Sequence, residues 1–135
     1  MSSVSASSPI RPRSWGDDLD KHTTVSELRA LVHQFVSARD WQPYHSPKNL
    51  SASIAIEAAE LVEIFQWMTC EDSRQAASDP VVYEHARQEL ADVMIYCLSL
   101  ANALDMDLGQ AIYDKMKLNQ IKYPVSRTRG RLGDR

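Results

Sequence analysis

The stretch Ile54–Trp67, reading IAIEAAELVEIFQW, limits what this chain can become more than any other. It sets Glu57, Glu60 and Glu63 three residues apart in a run dominated by Ala, Ile, Leu, Val and Phe. Nothing in it breaks a helix, and on a helix residues three apart are neighbours on one face. Carboxylates held that close repel each other. Burying them among apolar residues costs several kcal/mol per charge unless a cation or proton compensates. The acids therefore either face water or hold a metal.

A second segment repeats the design. Gln88–Leu100 reads QELADVMIYCLSL, with Glu89 and Asp92 three apart and Tyr96 seven beyond Glu89, as Trp67 lies seven beyond Glu60. Two helical turns rise roughly 10 Å, about the reach from the phosphates of a nucleotide to its base. Packed side by side, the two helices would bring four carboxylates to one level and two aromatic rings to another. One such pair alone reads as the solvated face of an amphipathic helix. Two matching pairs in the most apolar segments point instead to a site with a hard-cation end and a stacking end. Glu57, Glu60, Glu89 and Asp92 offer oxygen only, which suits Mg²⁺ and disfavours zinc. A ferritin-like di-iron centre would need Glu-x-x-His pairs, and both pairs lack the histidine.

The remaining chain reads as helices and connectors. At 135 residues it suits one domain, spanning 23–124, with a tail on either side. Residues 1–22, rich in Ser and Pro, read as a disordered N-terminal tail. A first helix, capped by Thr23 or Thr24, carries Val25, Leu28, Leu31, Val32, Phe35 and Val36 at helical spacing. The loop WQPYHSPKN follows; its Trp41 is either a plug over the core or part of a ligand pocket, and its His45 reads as a solvated loop residue. The second helix is expected from Asn49 or Ser51 to about Met68. A polar connection ends at Asp79-Pro80, a third helix runs from about Val81 to Ala103, and a fourth from about Leu108 to Lys122 before Pro124 stops it. Residues 125–135 read as a flexible basic tail. No strand pattern competes, so the fold class is all-α, an antiparallel four-helix bundle. The two central helices are apolar over more than one face, which predicts a homo-oligomer, dimer or tetramer, that buries the excess.

On the fourth helix Lys115, Asn119 and Lys122 fall on one stripe, with Tyr123 next to it. Alone it is a solvated basic stripe near a helix C-terminus; beside a metal site, its lysines are point-charge phosphate binders. A net charge of -3 gives no bulk case for a nucleic-acid polymer as partner. The apolar runs are too short to span a membrane. Cys70 and Cys97 lack the spacing of a disulfide framework, which fits a reducing, cytoplasmic setting.

The pairs Glu57-x-x-Glu60 and Glu89-x-x-Asp92, the phrase ELVEIFQW, the loop DWQPYHSPKN and the ending KMKLNQIKYP together resemble the all-α nucleoside triphosphate pyrophosphatases of the MazG-like superfamily, nearest its dCTP pyrophosphatase branch. The resemblance spans roughly Leu28 to Pro124. It implies that Glu57, Glu60, Glu89 and Asp92 bind Mg²⁺ and that Trp41, Trp67 and Tyr96 line the base and sugar pocket. It also implies that Lys115, Asn119, Lys122 and Tyr123 contact the phosphates of a nucleoside triphosphate substrate. Members of this branch place a histidine where Val32 stands; here the histidine is His33, one position along. The activity implied is Mg²⁺-dependent hydrolysis of a deoxynucleoside triphosphate, dCTP or a modified pyrimidine form, to the monophosphate and pyrophosphate, with Glu60 or Glu63 activating water. Two other classes fit the same residues: a non-catalytic oligomeric helical interaction module, and a nucleotide-binding regulator with a degenerate site.

Overall fold

The structure, a computed structural model, describes residues 18–132. Among these residues every regular element is helical. They form two compact units that divide after Leu104.

The first unit contains α1 (Leu19–His22), α2 (Val25–Ser37), α3 (Pro47–Phe65), α4 (Cys70–Arg74) and α5 (Pro80–Ala103), with short 3₁₀ turns at Gln42–Tyr44 and Ala76–Ser78. Each long helix starts where the local chemistry satisfies its orphan N–H groups. Thr24 and Glu27 form a reciprocal capping box on α2, the Glu27 N–H donating to Thr24 Oγ1 at 3.1 Å and the Thr24 N–H to Glu27 Oε2 at 2.7 Å. Ser46 caps α3 by accepting from the Asn49 N–H at 3.2 Å, with Pro47 in the first turn. The second helix thus begins before Asn49, because proline at the first helical position loses no bond that the helix would make. Asp79 caps α5, accepting from the N–H groups of Val81 and Val82 at 3.0 and 3.2 Å.

Two left-handed aspartates end helices. Asp40, at φ 53°, closes α2: the Trp41 N–H returns to the Val36 carbonyl at 3.2 Å and the Asp40 N–H to the Ser37 carbonyl at 3.1 Å. This paired return is a Schellman turn. It holds Trp41 edge-on to Phe35, ring centroids 5.8 Å apart, with the Arg39 guanidinium 3.6 Å above the Phe35 ring. Asp105, at φ 48°, follows the end of α5.

Helix α5 packs along α3 and against α2. The buried centre is Val32 and Val36 from α2, Leu50 from α3, and Leu98 and Ala101 from α5. Leu50 is 1% exposed, a burial worth about 2 kcal/mol. Polar groups fasten α2 to α5: Arg29 Nε donates to Asn102 Oδ1 at 3.0 Å, and Asn102 Nδ2 donates to the Arg29 carbonyl at 3.0 Å. The outer faces stay apolar, with Ile56, Val62, Leu90 and Met94 each about half exposed or more.

The polar connection between α3 and α5 is mostly exposed and carries helical turns, α4 and a 3₁₀ turn. The second unit contains α6 (Leu108–Lys122) and α7 (Val125–Thr128). Asp107 caps α6 by accepting from the Gln110 N–H at 2.8 Å. Of the two expected tails, residues 1–17 and 133–135 lie outside the described residues, Leu19–His22 form one helical turn, and Val125–Thr128 form another. No described helix is long and apolar enough to cross a membrane.

Candidate metal centre

Helix α3 presents Glu57 and Glu60, and α5 presents Glu89 and Asp92. One carboxylate oxygen each from Glu57, Glu60 and Glu89 lies within 4.8 Å of the others. Asp92 adds its charge to the same group, acting on both Glu57 and Glu89. Glu57 and Glu89 are half-buried and Glu60 is exposed. Glu60 and Glu89 bring carboxylate oxygens within 4.8 Å of each other across the helix pair, while Glu57 and Asp92 line one cavity. Residue numbers therefore rise along one helix as they fall along the other. The helices are antiparallel.

Crowding perturbs the acids. Burial pushes the Glu57 carboxyl above its ordinary value of 4.5, and the hydrogen bond and charge of Glu60, then the charges of Asp92 and Glu89, push the same way. Glu89 is raised by burial first, then by the charge and hydrogen bond of Glu60 and the charge of Asp92, with His85 opposing. The Glu89 Oε2 atom is buried and has no hydrogen-bond partner among the described residues. A buried acceptor without a donor, beside other negative oxygens, is costly in a metal-free protein. The donor set, all carboxylate oxygen at these separations, fits a hard divalent cation whose ligands stand about 2.0–2.6 Å away.

The acids open onto a cavity of about 460 Å³. Trp41, Phe35 and Leu31 line one side and Tyr96 and Ile95 another, with Glu57 and Asp92 at the acidic edge. The Schellman turn after α2 is what carries Trp41 to this wall. A smaller cavity of about 320 Å³ shares Val32, Val36, His45 and Ser99 with it. Val32 and His33, the pair singled out in the sequence, separate here: Val32 lines both spaces and His33 only the smaller.

The expected pocket aromatics do not all converge. Trp41 and Tyr96 line the cavity, whereas Trp67 lies just past α3 and is 90% exposed. Antiparallel packing explains this departure from two rings at one level. Seven residues onward from the acids points toward the C-terminus of each helix, and those ends lie on opposite sides of the acidic group. Glu63 is exposed on α3, outside the three-acid group. In the second unit Lys115 and Lys122 are exposed and Asn119 is half-buried. There the Tyr123 N–H donates to the Asn119 carbonyl at 2.8 Å, and the Lys122 ammonium sits 5.2 Å from the Tyr123 ring centroid.

Two residues of the cavity wall escaped the sequence reading. His45 is not a solvated loop side chain: its Nδ1 is buried. Ser99 is 5% exposed. A signal for Ser99 exists, since it lies three residues beyond Tyr96 and seven beyond Asp92, on the stripe of the acids. None points to His45.

Comparison with known proteins places the chain in a family. The model of the MazG-like family matches residues 52–131, which include both acid pairs. The chain is 37% identical over 107 residues to dCTP pyrophosphatase 1 of Mus musculus, covering 79% of this chain and 63% of that protein. It is 35% identical over 102 residues to dCTP pyrophosphatase 1 of Homo sapiens, covering 76% of this chain and 60% of that protein. The matched region thus spans less than two thirds of the length of these curated relatives. A pyrophosphatase from Archaeoglobus fulgidus, known from its crystal structure, aligns with a TM-score of 0.67 at 32% identity, over 84% of this chain and 99% of that one. By its helices, its acid pairs and these matches, the chain belongs to the MazG-like family.

Proposed function

We propose that this chain is a Mg²⁺-dependent nucleoside triphosphate pyrophosphohydrolase. It would convert a deoxynucleoside triphosphate, dCTP or a modified pyrimidine form, with water into the monophosphate and pyrophosphate, cleansing the nucleotide pool of the cytoplasm. The observation that carries the reading is the acidic group of α3 and α5 opening onto a cavity walled by Trp41 and Tyr96. The names of the relatives, two of them dCTP pyrophosphatases, support it.

In this reading Glu57, Glu60, Glu89 and Asp92 hold Mg²⁺, which when bound neutralises charge on the phosphates and on the departing pyrophosphate. The chain's own groups do the rest. Trp41 and Tyr96 stack on the base and sugar, an interaction every base offers, and fix the triphosphate with its reacting end at the acids. Glu60 or Glu63, both solvent-facing on α3, takes the proton of the attacking water. The bond that breaks joins the α-phosphorus to its bridging oxygen, and that oxygen leaves with pyrophosphate. Lys115, Asn119, Lys122 and Tyr123 are the proposed phosphate contacts, on the strength of their charge and of the family resemblance. Trp67 is a proposed base contact on the resemblance alone. The exposed apolar faces of α3 and α5 support self-association, as a homodimer or homotetramer built on a four-helix bundle.

The test is pyrophosphate release from a panel of deoxynucleoside triphosphates, with and without Mg²⁺. Asp92→Asn and Glu60→Ala should each lower turnover by at least about 100-fold while keeping helical circular dichroism. Full activity in either variant would remove the assignment. A nucleotide-induced rise in melting temperature with no pyrophosphate from any substrate would favour the regulator instead.

A further inference from the structure

Away from its acidic edge, the cavity beside the acids holds two polar atoms without a partner. The Ser99 Oγ and the His45 Nδ1 are both buried, and neither has a hydrogen-bond partner among the described residues. Both residues line the larger cavity and the smaller one that adjoins it. Ser99 belongs to α5, a rigid 24-residue helix, and lies one turn beyond Tyr96 and two beyond Asp92. His45 closes the 3₁₀ turn after Trp41, its backbone N–H fixed on the Gln42 carbonyl at 3.0 Å. The two side chains thus come from the same elements that supply Tyr96 and Trp41. A buried polar atom without a partner costs a folded protein stability, and such atoms are few in native structures. Two that line one cavity suggest a ligand edge that completes them.

We infer that Ser99 and His45 read the hydrogen-bonding edge of the base, the ring being gripped by Trp41 and Tyr96. This deepens the nucleotide reading of the cavity and rests on it. A hydroxyl donates and accepts, and a neutral imidazole nitrogen does either according to tautomer. The pair therefore complements an amino group beside a ring nitrogen, as in cytosine, and equally a carbonyl beside a ring N–H, as in uracil or thymine. The polarity it demands is strict, because a base without such an edge leaves both protein atoms unpaired. The substrate class is a nucleotide whose ring carries adjacent polar groups, as amino- and oxo-pyrimidines do.

The experiment measures pyrophosphate release by the full chain with Mg²⁺ on two substrates. One is the best natural pyrimidine triphosphate of the panel; the other is the triphosphate of a difluorotoluene deoxynucleoside, a ring of the same shape with no hydrogen-bonding edge. The wild type should prefer the natural substrate by at least about 10-fold in kcat/KM. Ser99→Ala should raise KM for it about 5- to 50-fold with kcat within about 3-fold, and leave KM for the apolar ring unchanged. His45→Leu should repeat the pattern, and His45→Asn, which keeps a short polar group near the Nδ1 position, should recover it. Unliganded Ser99→Ala should melt at or above the wild-type temperature, since it removes an orphaned hydroxyl. An unchanged KM in Ser99→Ala, or a lower melting temperature with both substrates impaired alike, overturns the inference and leaves the enzyme reading standing. No pyrophosphate from any triphosphate with the wild type removes the enzyme reading and this inference with it.

Discussion

Replacing Glu57 by Gln should make the metal-free protein more stable. The carboxylates of Glu57, Glu60 and Glu89 approach within 4.8 Å. At that distance a like-charge pair costs about 1 kcal/mol in water and about 3.5 kcal/mol at an effective dielectric of 20. Glu60 is exposed, so solvent screening favours the lower figure, and removing the Glu57 charge should relieve about 1–2 kcal/mol in total. For a chain of this size that raises the melting temperature by roughly 5 °C. The gain depends on pH with a definite sign. Glu57 is held above its ordinary value, so the protonated wild type is preferentially stabilised when folded. That stability is fully present below 4.5 and is lost as pH rises through the raised folded value. The advantage of Gln should therefore be largest near neutral pH and fade as the solution is acidified. Mg²⁺ should stabilise the wild type more than the variant. A hundredfold excess over Kd stabilises the wild type by about 2.7 kcal/mol, and a lost ligand weakens binding by at least about 10-fold. Differential scanning calorimetry in EDTA and in Mg²⁺ gives both numbers. A variant that melts below the wild type in EDTA, or gains as much from Mg²⁺, would refute the crowded-acid account.

Three further outcomes are expected. Asp79→Ala removes the acceptor for two N–H groups at the start of α5 and should cost about 1 kcal/mol in urea unfolding, with an unchanged m-value. Asp40→Gly relieves a left-handed residue at φ 53° and should stabilise by about 0.5 kcal/mol, read as a small rise in melting temperature. Glu84, hydrogen-bonded by Arg87 and Gln88, is held down to about 2, so its contribution is present above 4.5 and is lost as pH falls through about 2, the reverse of Glu57. Carboxyl chemical shifts followed by NMR should show Glu84 titrating at lower pH than Glu89.

What the sequence made legible follows from which physics is local. The acid pairs were readable because a helix fixes where residues three apart must lie, whatever packs against it. Helices α2, α3 and α5 were readable from their apolar residues, and α6 from its limits at Asp107 and Pro124. The start of α3 was placed at Asn49 or Ser51 because WQPYHSPKN was read as loop through both prolines, whereas Pro47 sits in the first turn behind the Ser46 cap. The position of Trp67 was misjudged because two rings at one level require parallel helices, whereas the antiparallel bundle expected from the short connections sends Trp67 and Tyr96 to opposite ends. His45 was missed for another reason: burial of a loop side chain depends on elements far away in sequence, here on α2 and the end of α5.

The head-to-tail facing of the two acid pairs has a mechanical consequence. Glu57 meets Asp92 while Glu60 meets Glu89, so a local dyad relates one pair to the other. Slide one rod by a single turn, about 5.4 Å, in the sense that brings Glu57 against Glu89, and Glu60 faces Ala86 while Asp92 faces Ile54. Axial drift in that sense is discouraged by the loss of half the cradle at one step. A cation seated there would serve as a detent as well as a reagent.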